Sequence, residues 1–130
     1  MYIPPGFGTV TPYVFAKHAD RLVQFLIAGL GGLETCRTER DGVIANCQVT
    51  IGTTTLMISE ATEQFPPSQA SFYLYVEDAE RSMSRAVNAG ATVIMEVADM
   101  PYGDRQGGVS DPAGNLWWVS QRLISEPYSA

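Results

Sequence analysis

The sequence predicts an α+β chain built from two βαβββ modules, each a mixed sheet with one covering helix. Three observations carry that prediction. The segment from Thr11 matches the segment from Ser71 position by position: Tyr13 with Tyr73, Val14 with Leu74, Phe15 with Tyr75, Ala19 with Ala79, Asp20 with Glu80, Arg21 with Arg81. Repetition at a constant offset is the sequence signature of a repeated structural unit. Each copy then passes from alternating aromatic and aliphatic residues to helical spacing and a glycine stop. Last, turn signals at Asp41-Gly42 and at Asp111-Pro112-Ala113-Gly114-Asn115 divide the chain after each helix into short strands.

The elements follow in order. Val10–Ala16 has the β-branched and aromatic content of a strand, and Ala19–Leu30 reads as a helix closed by Gly31-Gly32. Three strands are expected at about Leu33–Arg40, Val43–Ile51 and Thr54–Ser59, the first two joined by Asp41-Gly42, a type I′ hairpin signal. Residues 61–69, with Pro66 and Pro67, form the linker between a first module at 9–60 and a second at 70–123. The second module starts with a strand at Ser71–Val76. Asp78 stands where an N-cap belongs, and Ala79–Asn88 places Met83, Ala86 and Val87 at helical spacing before Ala89-Gly90 ends the helix. Strands are expected at about Thr92–Val97, Gly107–Ser110 and Leu116–Arg122, and residues 124–130 form a loose tail.

At 130 residues the chain is one domain's worth, long enough to bury a core without a disulfide or metal staple. The longest apolar stretch, Leu22 to Leu30, is interrupted by Gln24 and is far short of a membrane span, and Met1-Tyr2-Ile3-Pro4-Pro5 lacks the basic and apolar regions of a signal peptide. A cytoplasmic location is therefore expected. A net charge of −6 argues against nucleic acid, which needs a basic face. It is compatible with attraction to a cationic small molecule, and equally with solubility alone. If the hairpin loop is only Asp41-Gly42, the two cysteines, Cys36 and Cys47, stand directly opposite each other in a hydrogen-bonded site. That spacing and a reducing compartment both favour free thiols.

Several strings carry a family resemblance: Thr9-Val10-Thr11-Pro12-Tyr13, the helix end Ala89-Gly90-Ala91, Tyr102-Gly103-Asp104-Arg105, and Asp111-Pro112-Ala113-Gly114-Asn115-Leu116-Trp117-Trp118. In this order, on two βαβββ modules, they resemble the vicinal oxygen chelate superfamily, in its PhnB-like, glyoxalase/bleomycin-resistance branch. The superfamily includes glyoxalase I, extradiol dioxygenases, fosfomycin resistance enzymes and bleomycin-binding proteins. The resemblance covers about Phe7 to Leu123. It implies that each module curls into an open half-barrel and that the two enclose a cavity. It also implies metal ligands, usually His, Glu or Gln, on the inward face of the first and last strands of each module, and a homodimer.

Carried over residue by residue, those ligand positions fall on Thr11, Ser71 and Trp118, with Ser59 or Glu60 nearest in the fourth strand. Two hydroxyls, an indole and one carboxylate do not make the converging nitrogen and oxygen donors that a divalent ion requires. No metal and no cofactor is expected. The single histidine, His18, sits at the entry to the first helix, which removes histidine-based acid–base chemistry. Strand alternation then assigns the lining: if Thr11 points inward, so do Tyr13 and Phe15, and by the same parity Ser71, Tyr73 and Tyr75, with Trp118 and Ser120 from the last strand. Tyr102 and Arg105 stand at the cavity mouth, where Arg105 either grips an anionic group or pairs with Asp104 or Asp99. Glu60 either faces a cationic ligand or is a solvated strand end.

An aromatic lining with a few hydroxyls suits a planar or cationic organic ligand, through stacking and cation–π contacts, unless the rings simply fill a collapsed core. The expected function is a metal-free small-molecule-binding protein. Two alternatives stay open: a metal-dependent lyase or dioxygenase with unusual ligands, and a module for dimerisation or partner contact.

Overall fold

The computed structural model describes residues 1–129. Two units divide the chain, one at Met1–Ser68 and one beginning at Gln69. The first contains β1 (Tyr13–Ala16), α1 (Ala19–Leu30), β2 (Leu33–Arg40), β3 (Val43–Ile51) and β4 (Thr54–Glu60). Its sheet has the order β1-β4-β3-β2, with β1 parallel to β4 and the other neighbours antiparallel. The second contains β5 (Ser71–Tyr75), α2 (Ala79–Asn88), β6 (Thr92–Asp99), β7 (Asp104–Ser110) and β8 (Leu116–Arg122), in the order β5-β8-β7-β6 with the same directions. Two βαβββ units are present, as the repeat predicts. Among the described residues, no helix is long and apolar enough to cross a membrane.

In the first unit Val14 and Ala16 are buried on the face covered by α1, whose Leu22, Val23, Phe25 and Leu26 pack with Val49 and Ile58 to form the core. The helix stops at Gly31, where φ is 75° and the next amide, Gly32, bonds back to Leu26 O at 2.8 Å. In the second unit Asp78 caps α2 by accepting from Arg81 N at 3.1 Å. Ala79, Met83 and Ala86 form its buried stripe.

Three boundaries differ from expectation by more than one residue. β1 begins at Tyr13, not Val10, because Pro12 has no N–H for the ladder and contributes only its carbonyl, which accepts from Met57 N at 3.0 Å. β6 runs on to Asp99, and β7 begins at Asp104, not Gly107. Between them a tight turn, closed by Gly103 N to Met100 O at 3.1 Å and Met100 N to Asp104 O at 2.7 Å, replaces the expected loop.

The Asp41-Gly42 hairpin forms with φ of 54° and 81°, both positive as a type I′ turn requires. The cysteine register is corrected by a bulge. Thr38 pairs with Asn46 but Glu39 with Ile44, so Ala45 has no opposite number and the pairs slip by one from Thr38 to Cys36, until a second irregularity at Thr35 restores the register at Glu34 and Val49. Cys47 therefore faces Arg37, while Cys36 faces Gln48. Both thiols are free, Cys36 exposed and Cys47 buried. Burial, reinforced by the negative charge of Glu34, pushes the Cys47 thiol up to about 11. Cys36, being exposed, is expected to react promptly with a disulfide reagent, and Cys47 only after unfolding. Release of both thiols together from the native protein would contradict this burial.

Candidate functional site

In each sheet, alternation sends one set of side chains under the helix and the other to the opposite face. On the opposite face of the first unit stand Tyr13 and Phe15, with ring centroids 4.7 Å apart. Ser59 gives its proton to Ala45 O at 2.6 Å, so the Tyr13 hydroxyl, 2.8 Å from Ser59 Oγ, is the donor between them. Asn46 Nδ2 reaches the Tyr13 oxygen at 3.4 Å. Phe65 stacks on Phe15 with centroids 5.5 Å apart and planes inclined by 16°. These rings line a cleft of about 480 Å³ that also touches Ile44 and Ser59. Phe65 was missed because it lies in the segment read as linker; its one signal is an aromatic residue placed directly before Pro66-Pro67.

The second unit repeats the pattern with heavier substituents. Ser71, Tyr73 and Tyr75 share a face with Trp118 and Ser120, as β5 and β8 pair in parallel. Trp118 donates its indole N–H to Ser71 Oγ at 2.9 Å. The ring lies flat over β7 because position 108 is glycine: a Cβ there would stand 2.9 Å from Trp118 Cζ3. Tyr102 donates to Gln106 Oε1. Gln106 Nε2 in turn donates to the buried Ser120 Oγ at 2.7 Å, the counterpart of the Asn46–Ser59 neighbourhood in the first unit.

The same face holds a charged cluster that sequence reading did not anticipate. Asp104, with 0% of its surface exposed, accepts from Tyr73 at 2.5 Å, from Tyr128 at 2.6 Å and from Arg122 Nη1 at 2.9 Å. Burial alone would push its carboxyl up, but these hydrogen bonds and the Arg122 charge outweigh it and hold the group below the usual carboxylate range. Burial and the Asp104 carboxylate push the Tyr73 hydroxyl up, so it stays protonated as a donor.

Thr11 and Arg105 lie elsewhere, and Glu60 borders the cleft of the first unit. Thr11 precedes β1 and sits in a separate groove of about 460 Å³ with Phe7, Gln48 and Met57. Arg105 does not join the cluster. Odd positions of β7 turn toward α2, and Arg105 is paired there with Asp99 at 2.7 Å, the second of its two expected roles. Glu60 is not a free strand end. Its two carboxylate oxygens accept from His18 N and Ala19 N, both at 2.9 Å, and so cap α1, whose entry residue His18 supplies no side-chain cap.

The donor set therefore does not fit a divalent ion. Ser71 and Trp118 are bonded to each other, Glu60 is committed to a helix end, and Thr11 lies in a groove of the first unit lined by no carboxylate, imidazole or thiol. Among the described residues, no group of three or more His, Cys, Asp or Glu side chains converges.

Comparison with known proteins agrees with this architecture. Residues 7–119 match the family model of the Glyoxalase/Bleomycin resistance protein/Dioxygenase superfamily. An uncharacterized protein of Mycobacterium bovis is 28% identical over 124 residues, covering 86% of this chain and 82% of that one. The crystal structure of TioX from a Micromonospora species superposes with a TM-score of 0.73 at 24% identity, over 88% of this chain and 99% of that one. TnmS3, an antibiotic-binding protein from a Streptomyces species, superposes with a TM-score of 0.72 at 21% identity, over 94% and 98%.

Proposed function

Given that the chain belongs to the Glyoxalase/Bleomycin resistance protein/Dioxygenase superfamily, we propose that it is a metal-free protein that binds an aromatic or cationic organic compound. The observation that carries this reading is the ring-bearing sheet face of each unit. Tyr13, Tyr73 and Trp118 are each held by a side-chain hydrogen bond, and Phe15 and Phe65 stack beside a cleft. Rings fixed in this way offer stacking and cation–π contact at little entropic cost on binding. None of these side chains is a histidine or a cysteine, so the reading needs shape and polarity but no reactive group. The fold shared with TnmS3, an antibiotic-binding protein, supports a small-molecule ligand. The protein acts in the cytoplasm as a homodimer, a state that light scattering would report as twice 14.1 kDa.

Thermal shift against a panel of planar aromatic and cationic compounds tests the reading. A ligand at 100 times its dissociation constant adds about 2.7 kcal/mol, a rise of roughly 10 °C for a domain of this size. A panel that leaves the midpoint unmoved argues against it. So does near-stoichiometric zinc, nickel, manganese or iron in protein purified without chelator, which would favour a metal-dependent lyase or dioxygenase.

A further inference from the structure

Residues 123–129 form neither helix nor strand, yet they bring Tyr128 back onto the sheet of the second unit. The Tyr128 hydroxyl donates to Asp104 Oδ2 at 2.6 Å. Its single proton being used there, the Tyr75 hydroxyl, 2.8 Å away, donates to the Tyr128 oxygen. The Arg122 guanidinium carbon lies 4.1 Å from the ring centroid, within cation–π range. One phenol thus meets an acceptor, a donor and a cation over its face.

The three receptor groups stand on β5, β7 and β8. Arg122 is fixed without the ring, by Asp104 Oδ1 at 2.9 Å and Tyr102 O at 2.6 Å, and Asp104 is held by Tyr73 as well. The occupant hangs on an irregular segment and keeps 49% of its surface exposed. A rigid receptor with a tethered, half-exposed occupant is the arrangement of a site and an internal competitor.

We propose that Asp104, Tyr75 and Arg122 form a phenol-binding subsite, filled here by Tyr128, and that its external ligand is a neutral compound bearing a hydroxyl on a flat aromatic ring. The inference rests on the small-molecule-binding reading above and narrows its ligand class. A carboxylate or phenolate is repelled by Asp104. An aromatic ring without the hydroxyl leaves the buried carboxylate short of a donor, a mismatch that discriminates against it.

The test is calorimetric titration of the full chain and its Tyr128→Ala variant with 4-methylphenol and with toluene. If the tethered ring is seated about nine-tenths of the time, the variant binds 4-methylphenol about tenfold more tightly than the parent. Toluene gains nothing, and adding Tyr75→Phe to the variant reverses most of the improvement. Tyr128→Phe, which keeps the ring and drops the hydroxyl, gives a smaller gain in the same direction and serves if the alanine variant does not fold. Equal affinity in variant and parent, or toluene binding as well as 4-methylphenol, overturns the subsite. If 4-methylphenol fails while larger aromatic compounds still stabilise the parent, only the subsite falls. If nothing aromatic or cationic binds either protein, the binding reading falls with it.

Discussion

Replacing Asp111 by alanine is expected to remove about 3 kcal/mol of stability and lower the thermal midpoint by roughly 10 °C. The carboxylate is 5% exposed and organises the whole turn into β8. Oδ1 accepts from Ala113 N at 2.8 Å and Asn115 N at 3.0 Å, and Oδ2 accepts from Asn115 Nδ2 at 3.1 Å and from Trp117 Nε1 at 2.8 Å. Asn115 and Trp117 are themselves buried, so their donors cannot turn to water when the acceptor is removed. The damage spreads along two routes. Asn115 Oδ1 accepts from Ala70 N at 2.9 Å and thereby fixes the start of β5. Trp117 stacks on Phe72 at 4.4 Å under α2. Asp111→Asn keeps one acceptor oxygen and should lose about half as much. Calorimetry of the three proteins settles the order, and a midpoint for the alanine variant equal to that of the parent would show that the turn is held by something else.

What could be read from the sequence was local. The repeat from Thr11 and Ser71, the cap at Asp78, the stop at Gly31 and the Asp41-Gly42 hairpin each depend on a few neighbouring residues, and each element stands where it was expected. Strand parity also carried across, since Tyr13 and Phe15 do face away from Val14 and Ala16. Apart from strand boundaries, the failures were non-local. Cys36 and Cys47 lost their register to a bulge at Ala45 that no turn residue announces. Glu60 caps α1 only because β1 and β4 run parallel and set Ala16 beside it. Asp104 was overlooked because a strand start at Gly107 put it in a loop, where an Asp beside an Arg reads as surface. Its partners Arg122 and Tyr128 come from the end of β8 and from a segment with no pattern of its own. Asp104 stands well before both of its partners in the chain, so no short window of sequence joins it to either.

Asp104→Asn is expected to lower stability by about 2 kcal/mol at neutral pH, because three donors, one of them cationic, lose a charged acceptor and only part of the bonding is recovered by the amide oxygen. The pH dependence gives the sharper check. The folded-state carboxyl of Asp104 is held below its unfolded value, so the folded chain takes up this proton less readily than the unfolded one. Its contribution is therefore fully present above the unfolded value of about 3.9 and is lost as pH falls through that value toward the lower folded one. The difference in midpoint between parent and Asp104→Asn should be constant from neutral pH down to about 5 and then close as the parent alone becomes protonated at this site. Asp99, whose carboxyl is also held low, by its hydrogen bond from Arg105, titrates in both proteins and cancels in the difference. Tyr73 and Tyr128 both titrate above their ordinary range and keep their protons throughout. A gap that persists unchanged to low pH would mean that the variant is weakened by misfitted shape at position 104, and that the buried carboxylate contributes through packing instead of through its charge.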